Sequence, residues 1–186
     1  MPLSVPAPRA SIHRRSIQLD GYRRADGLWD IEGVLIDTKA KPIEGKVRGT
    51  IPPGEPIHLM EVRLTLDDQF IVKGIEVVMD STPYPAACPG ITPDFQKLVG
   101  LSVQKGFVKE VRAQFGGVQG CMHLVELLAA MASTAFQTMY PEMAAERGDW
   151  DQRPPMLDSC HALAADGELV AGLWPNHSTR AQASNT

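Results

Sequence analysis

The chain has 186 residues, 44% of them hydrophobic, with 18 Lys and Arg against 22 Asp and Glu for a net charge of −4. That length supports one well-buried core, and no basic stripe exists beyond His13-Arg14-Arg15 and Arg23-Arg24, which argues against nucleic-acid binding through phosphate neutralisation. No apolar run approaches the roughly 20 residues that span a bilayer, so no membrane partner is expected.

Residues 1–12 are proline-rich, lack the apolar segment of a secretory leader, and read as a disordered arm. The first half then reads as strands. Ser16–Arg23 and Leu28–Asp37 flank Ala25-Asp26-Gly27, a hairpin signal. Alternation in the second strand places Trp29, Ile31, Gly33 and Leu35 on one face and Asp30, Glu32 and Val34 on the other. Lys39–Glu55 is rich in Pro and Gly and reads as a loop with a short strand at Lys46–Thr50. Ile57–Leu66 and Phe70–Met79 form the clearest hairpin, turning at Asp67-Asp68-Gln69, with His58, Met60, Val62, Leu64 and Leu66 on the more apolar face.

The second half changes period. Thr92–Val99 and Phe107–Phe115 predict short helices, the first capped by Thr92 with Pro93 in its opening turn. Gly120–Tyr140 is the strongest helix, with Leu124, Leu127, Leu128, Met131, Ala135 and Met139 as an apolar stripe and Pro141 as its stop. Ser159–Trp174 predicts a hairpin around Asp166-Gly167, with a short helix ending near Gly167 as the rival. Residues 176–186 read as a disordered polar tail, leaving 13–175 as a single α+β domain, an antiparallel sheet packed on helices.

Chemistry concentrates on Cys88, Cys121, His123 and Cys160. Three cysteines, odd in number and far apart, predict reduced thiols in a cytoplasmic setting rather than a disulfide framework. Cys121 follows Gly116-Gly117-Val118-Gln119-Gly120 at a helix start, where the helix dipole favours a thiolate. Cys160-His161 is the second pairing, and Cys88 sits between prolines in a stiffened loop. Taken singly, each cysteine has a plainer alternative: core packing for Cys121 and Cys160, and an ordinary loop thiol for Cys88. Taken together, three sulfurs and the His123 nitrogen make a four-ligand set that suits zinc or an iron–sulfur cluster. The acidic residues Asp26, Asp30, Glu32 and Asp37 are a third candidate, for which a solvated strand face is the preferred reading.

Two resemblances attach to these residues. The segments 21–33, Gly120-Cys121-Met122-His123-Leu124 and Asp158-Ser159-Cys160-His161-Ala162 resemble an uncharacterised bacterial family, domain of unknown function 2889, over most of residues 11–175. Pro53-Gly54-Glu55-Pro56, a hairpin, Cys88, a short helix and Leu98-Val99-Gly100-Leu101 are similar in order to iron–sulfur scaffold proteins of the IscU and SufU type. That second resemblance implies that Cys88 and Cys121 match the scaffold's second and third cysteines. Pro53 stands where the scaffold has its first, so Cys160 or His123 replaces the missing ligand. The expected function is a metal- or iron–sulfur-binding scaffold or assembly factor with a protein partner. The alternatives are a small metal- or cysteine-dependent enzyme acting on an oxygenated small molecule, aromatic or otherwise, and a structural or interaction subunit without chemistry.

Overall fold

The computed structural model describes residues 3–148 and 152–180. The outer parts of the expected arm and tail, 1–2 and 181–186, lie outside the described residues; 3–12 are exposed and carry no regular secondary structure. The chain forms two compact units, Met1–Pro141 and Glu142–Thr186.

The first unit is built on an antiparallel four-stranded sheet in the order β1-β2-β5-β6, with β1 at His13–Arg23, β2 at Trp29–Lys39, β5 at Pro56–Leu66 and β6 at Val72–Ser81. Between β2 and β5 a separate two-stranded hairpin, β3 (Ile43–Gly45) with β4 (Gly49–Ile51), occupies the stretch read as a loop. Its turn falls on Lys46-Val47-Arg48, inside the segment expected to be a strand, and Gly49 supplies a positive φ. The strand after β5 starts two residues later than its composition implies. Asp67 accepts the N–H groups of Gln69 and Ile71 through its side chain, and Phe70 adopts φ 62°, so the turn extends through Phe70.

One face of the sheet is apolar and buried: Trp29, Ile31 and Leu35 of β2, Met60, Val62, Leu64 and Leu66 of β5, Val72 and Ile75 of β6. The other face carries polar ladders, such as Arg63 bridging Glu32 at 2.7 Å and Glu76 at 3.0 Å. The alternation of types along each strand dictates this division.

The helical part comprises a 3-10 segment, Cys88–Leu98, followed by α1 (Phe107–Phe115) and α2 (Met122–Arg147). Thr92 is interior to the 3-10 segment and its hydroxyl donates to the Pro89 carbonyl, so it caps nothing. Phe95 stacks on Phe115 with centroids 4.3 Å apart, joining that segment to α1. Every residue of the expected α2 stripe is fully buried. Pro141 does not end α2, which continues to Arg147. Glu142, Met143, Ala144, Ala145, Glu146 and Arg147 are good helix formers, and Gly148, at φ 68°, ends the helix instead.

Helix α2 lies along the apolar face beside β1 and β2. A Cβ on Gly33 would stand 3.0 Å from Leu127 Cδ1 and from Met131 Sδ, and one on Gly21 would collide with Thr138. The helix therefore starts near the Asp37 end of β2 and runs toward its Trp29 end.

In the second unit, Ser159–Trp174 is not a hairpin. It holds a 3-10 turn at His161–Leu163 and helix α3 at Glu168–Leu173. Only Val170 in this stretch is β-branched, while Ala and Leu dominate, and such residues favour helix. Gly167 precedes α3, so the rival helix ending there is absent too.

Candidate functional site

The register of the sheet determines the site. Arg15 of β1 lies opposite Asp37 of β2, and Asp37 lies opposite His58 of β5. All three sit on the face toward α2, where His123 occupies the first turn. Asp37 follows the parity of Trp29, Ile31, Gly33 and Leu35, so its carboxylate enters the core side and is 2% exposed.

A buried carboxylate must be saturated with donors. Arg15 binds it in bidentate fashion, Nε to Oδ1 at 2.8 Å and Nη2 to Oδ2 at 2.7 Å. His58 Nδ1 lies 3.0 Å from Oδ2 and His13 Nε2 lies 3.2 Å from Oδ1. Arg15 and His13 take three of the roughly four lone-pair sites of the carboxylate, and the His58 contact takes the fourth, which an ion held between Asp37 and His58 would occupy in its place. Arg15 also pairs with Glu126 of α2 through Nη1. Further out, His123 Nε2 is 3.7 Å from Asp37 Oδ2, and the His58 and His123 rings sit 4.0 Å apart. Cys121 Sγ lies 3.7 Å from His123 Nδ1.

Burial by itself would raise the Asp37 pKa. The hydrogen bonds and charge of Arg15, then of His58, outweigh it and hold the carboxyl at about 2. His58 is pushed below the ordinary histidine value, first by burial and then by the Arg15 and His13 charges, against the pull of Asp37. His123 is lowered by burial, then by His58 and Arg15. Both imidazoles are thus biased toward the neutral form, the form that ligates metals.

Among the described residues, one set of three potential ligands has donor atoms within 4.8 Å of one another: Asp37, His58 and His123. Metal–ligand bonds of about 2.0–2.2 Å put ligand atoms roughly 2.9 Å apart in octahedral and 3.4 Å apart in tetrahedral geometry. The 3.0 Å separation from Asp37 Oδ2 to His58 is close to the octahedral value, and the 3.7 Å separation to His123 lies a few tenths of an ångström beyond the tetrahedral one.

Of the residues singled out in the sequence, His123 belongs to this set and Cys121 adjoins it. Cys121 immediately precedes α2, and its carbonyl accepts the Val125 N–H. The glycines before it have a structural cause: Gly117 has φ 59°, and a Cβ on Gly120 would collide with the Phe115 backbone. Cys88 is half-buried at the start of its 3-10 segment, with its N–H bonded to the Tyr84 carbonyl. Cys160 is an exposed thiol of the second unit, beside exposed His161. Of the acidic group, Asp26 and Asp30 pair with Arg24, Glu32 pairs with Arg63, and only Asp37 is turned toward α2. Asp37 as a core-face residue and His58 as a candidate ligand are not singled out by the sequence reading; both carry the signal of a polar residue at an apolar position of an alternating strand.

No helix among the described residues is long and apolar enough to cross a membrane. No curated protein and no solved structure matches the chain. The profile of one family, described as "Protein of unknown function (DUF2889)", matches residues 13–137, a span that holds Arg15, Asp37, His58, Cys121 and His123, and the chain belongs to that family.

Proposed function

We propose that this domain binds one divalent transition-metal ion through Asp37, His58 and His123. The observation that carries the reading is the convergence of two neutral-biased imidazoles on one buried carboxylate. Two nitrogens and one oxygen suit zinc or iron(II), and three protein ligands leave coordination positions open, as in catalytic rather than structural sites. An ion so held supplies a Lewis acid and a bound water of lowered pKa. The chain's own residues would then have separate tasks. Arg15 fixes the Asp37 carboxylate in plane, Glu126 balances Arg15, and Cys121 holds the second nitrogen of His123 in the manner of an outer-shell partner.

This keeps the metal expected from the sequence and moves its ligands. An iron–sulfur role, as the scaffold resemblance implies, asks for thiolates, and its signature is acid-labile sulfide in anaerobically purified protein. All three cysteines are free thiols, which suits a reducing cytoplasmic setting. The test is elemental analysis and calorimetric titration with zinc and iron(II). His58→Ala and His123→Ala should each weaken binding by more than the roughly tenfold that loss of an outer-shell partner costs. Cys88→Ser and Cys160→Ser should leave it unchanged. Loss of metal in the cysteine variants with retention in His58→Ala would return the ligand set to the thiols, and no metal in any form would refute the reading.

A second reading is favoured by the line Cys121–His123–Asp37, with both spacings 3.7 Å. It makes Cys121 a nucleophile with His123 as its base. Its mark is iodoacetamide labelling of Cys121 faster than Cys88 and slowed by His123→Ala.

A further inference from the structure

The two edges of the sheet are finished differently. At the start of β6 residues 96–103 supply partners: Val72 N–H donates to the Leu101 carbonyl, Gly100 N–H to the Val72 carbonyl, Gln96 Nε2 to the Ile75 carbonyl at 2.7 Å, and, just before the strand, Val103 N–H to the Phe70 carbonyl. Along β1 nothing comparable occurs among the described residues. Ten of its eleven positions are exposed, and only Leu19 is partly covered. An uncovered strand of this length is a template for pairing.

The ladder shows which groups are free. Ala40 N–H donates to the Ile12 carbonyl, and Arg24 N–H donates to the Leu28 carbonyl. In an antiparallel ladder such bonded pairs recur at every second residue. The even positions of β1 therefore face β2, and Ile17, Leu19 and Gly21 point their backbone groups outward. Side chains add a second signal. Arg14 has no carboxylate partner among the described residues, whereas Arg15, Arg24, Arg48 and Arg63 each have one. Among the described residues, Asp20 has only the neutral Gln18 amide as a side-chain partner, at 2.9 Å. Six residues of extended chain separate Arg14 and Asp20 by roughly 20 Å, so they cannot meet within one strand.

They meet in a second copy. An antiparallel β1 related by a two-fold axis at Ile17 sets Arg14 opposite Asp20 twice, Ile12 opposite Tyr22 twice, and Ser16 opposite Gln18. Ile12, Ile17 and Tyr22 are 57%, 42% and 48% exposed in the single chain, and this pairing gives each an apolar partner. It also makes bonded pairs of the outward-facing odd residues. Moving the axis to Leu19 would instead oppose Arg15 to Arg23, and moving it to Gln18 removes the Arg–Asp pairs. We infer that this protein is a symmetric homodimer in which two β1 strands pair in this register to form one continuous sheet.

Sedimentation velocity of the full chain, in a concentration series up to about 100 μM, should show a dimer. Arg14→Asp and Asp20→Arg, each alone, should weaken it by about tenfold or more through like charges placed directly opposite. The double variant should restore it. Ile17→Pro removes an outward N–H that the fold does not use, so it should abolish the dimer with an unchanged circular dichroism spectrum. A monomer throughout overturns the inference, as does a dimer indifferent to the single charge reversals or to Ile17→Pro.

Discussion

Replacing Asp37 with Asn keeps the shape of the side chain and removes the charge on which Arg15, His13 and His58 converge. Its carboxyl pKa falls from an ordinary 3.8 to about 2 in the folded protein. That depression corresponds to about 2 kcal/mol of stability at neutral pH. A second route gives a similar figure. Removing one partner of a buried pair costs about 3–5 kcal/mol, and the cost is smaller here because Arg15 is 30% exposed and keeps Glu126. We therefore expect urea denaturation at pH 7 to show a loss of about 2–3 kcal/mol in Asp37→Asn, with an unchanged slope. Because the folded pKa lies below the unfolded one, this stabilisation is complete above the unfolded value and disappears as pH falls through about 2. The gap between wild type and variant should accordingly close on acidification. A loss under about 0.5 kcal/mol at pH 7, typical of a neutral surface change, would refute the reasoning. A gap that persists undiminished at acid pH would refute it as well.

The histidines act in the same direction at higher pH. Both His58 and His123 have lowered pKa values when folded, so stability of the metal-free protein should rise with pH up to about the unfolded histidine value near 6.5 and level off beyond it. Zinc affinity by calorimetry should hold constant above that point and start to fall only below it. Gly33→Val should cost about 1–3 kcal/mol in thermal or urea unfolding, since its side chain meets Leu127, Leu19 and Met131 at once. A neutral result would mean that α2 is less closely seated than described.

Much of the first unit was legible because its strands alternate. Trp29, Ile31, Gly33 and Leu35 against Asp30, Glu32 and Val34 fixed which face of β2 meets the helix, and the α2 stripe gave the complementary surface. Elements defined by turn chemistry were harder. The Asp67 side-chain bonds that delay β6, and the β3–β4 hairpin among prolines and glycines, depend on local geometry that residue type does not encode. The end of α2 was misread because Pro141 is a weaker signal than the helix formers after it. The site was half legible. His123 and Cys121 stood out through the glycine-rich approach to α2. Asp37 and His58 are ordinary strand residues until the register sets them opposite one another, and pairing between strands is a long-range property.

The separation of these residues along the chain has a consequence for assembly. Arg15 and Asp37 are 22 positions apart, Asp37 and His58 are 21, and Arg15 and Glu126 are 111. No local fragment holds the cluster, and an unfolded chain presents its donors too far apart to act together. A cation drawing on all three ligands would be captured only after β2 and β5 have zipped and α2 has docked, so its binding energy would accrue to the assembled fold. Chelation would then lower the population of intact molecules before it altered any single contact.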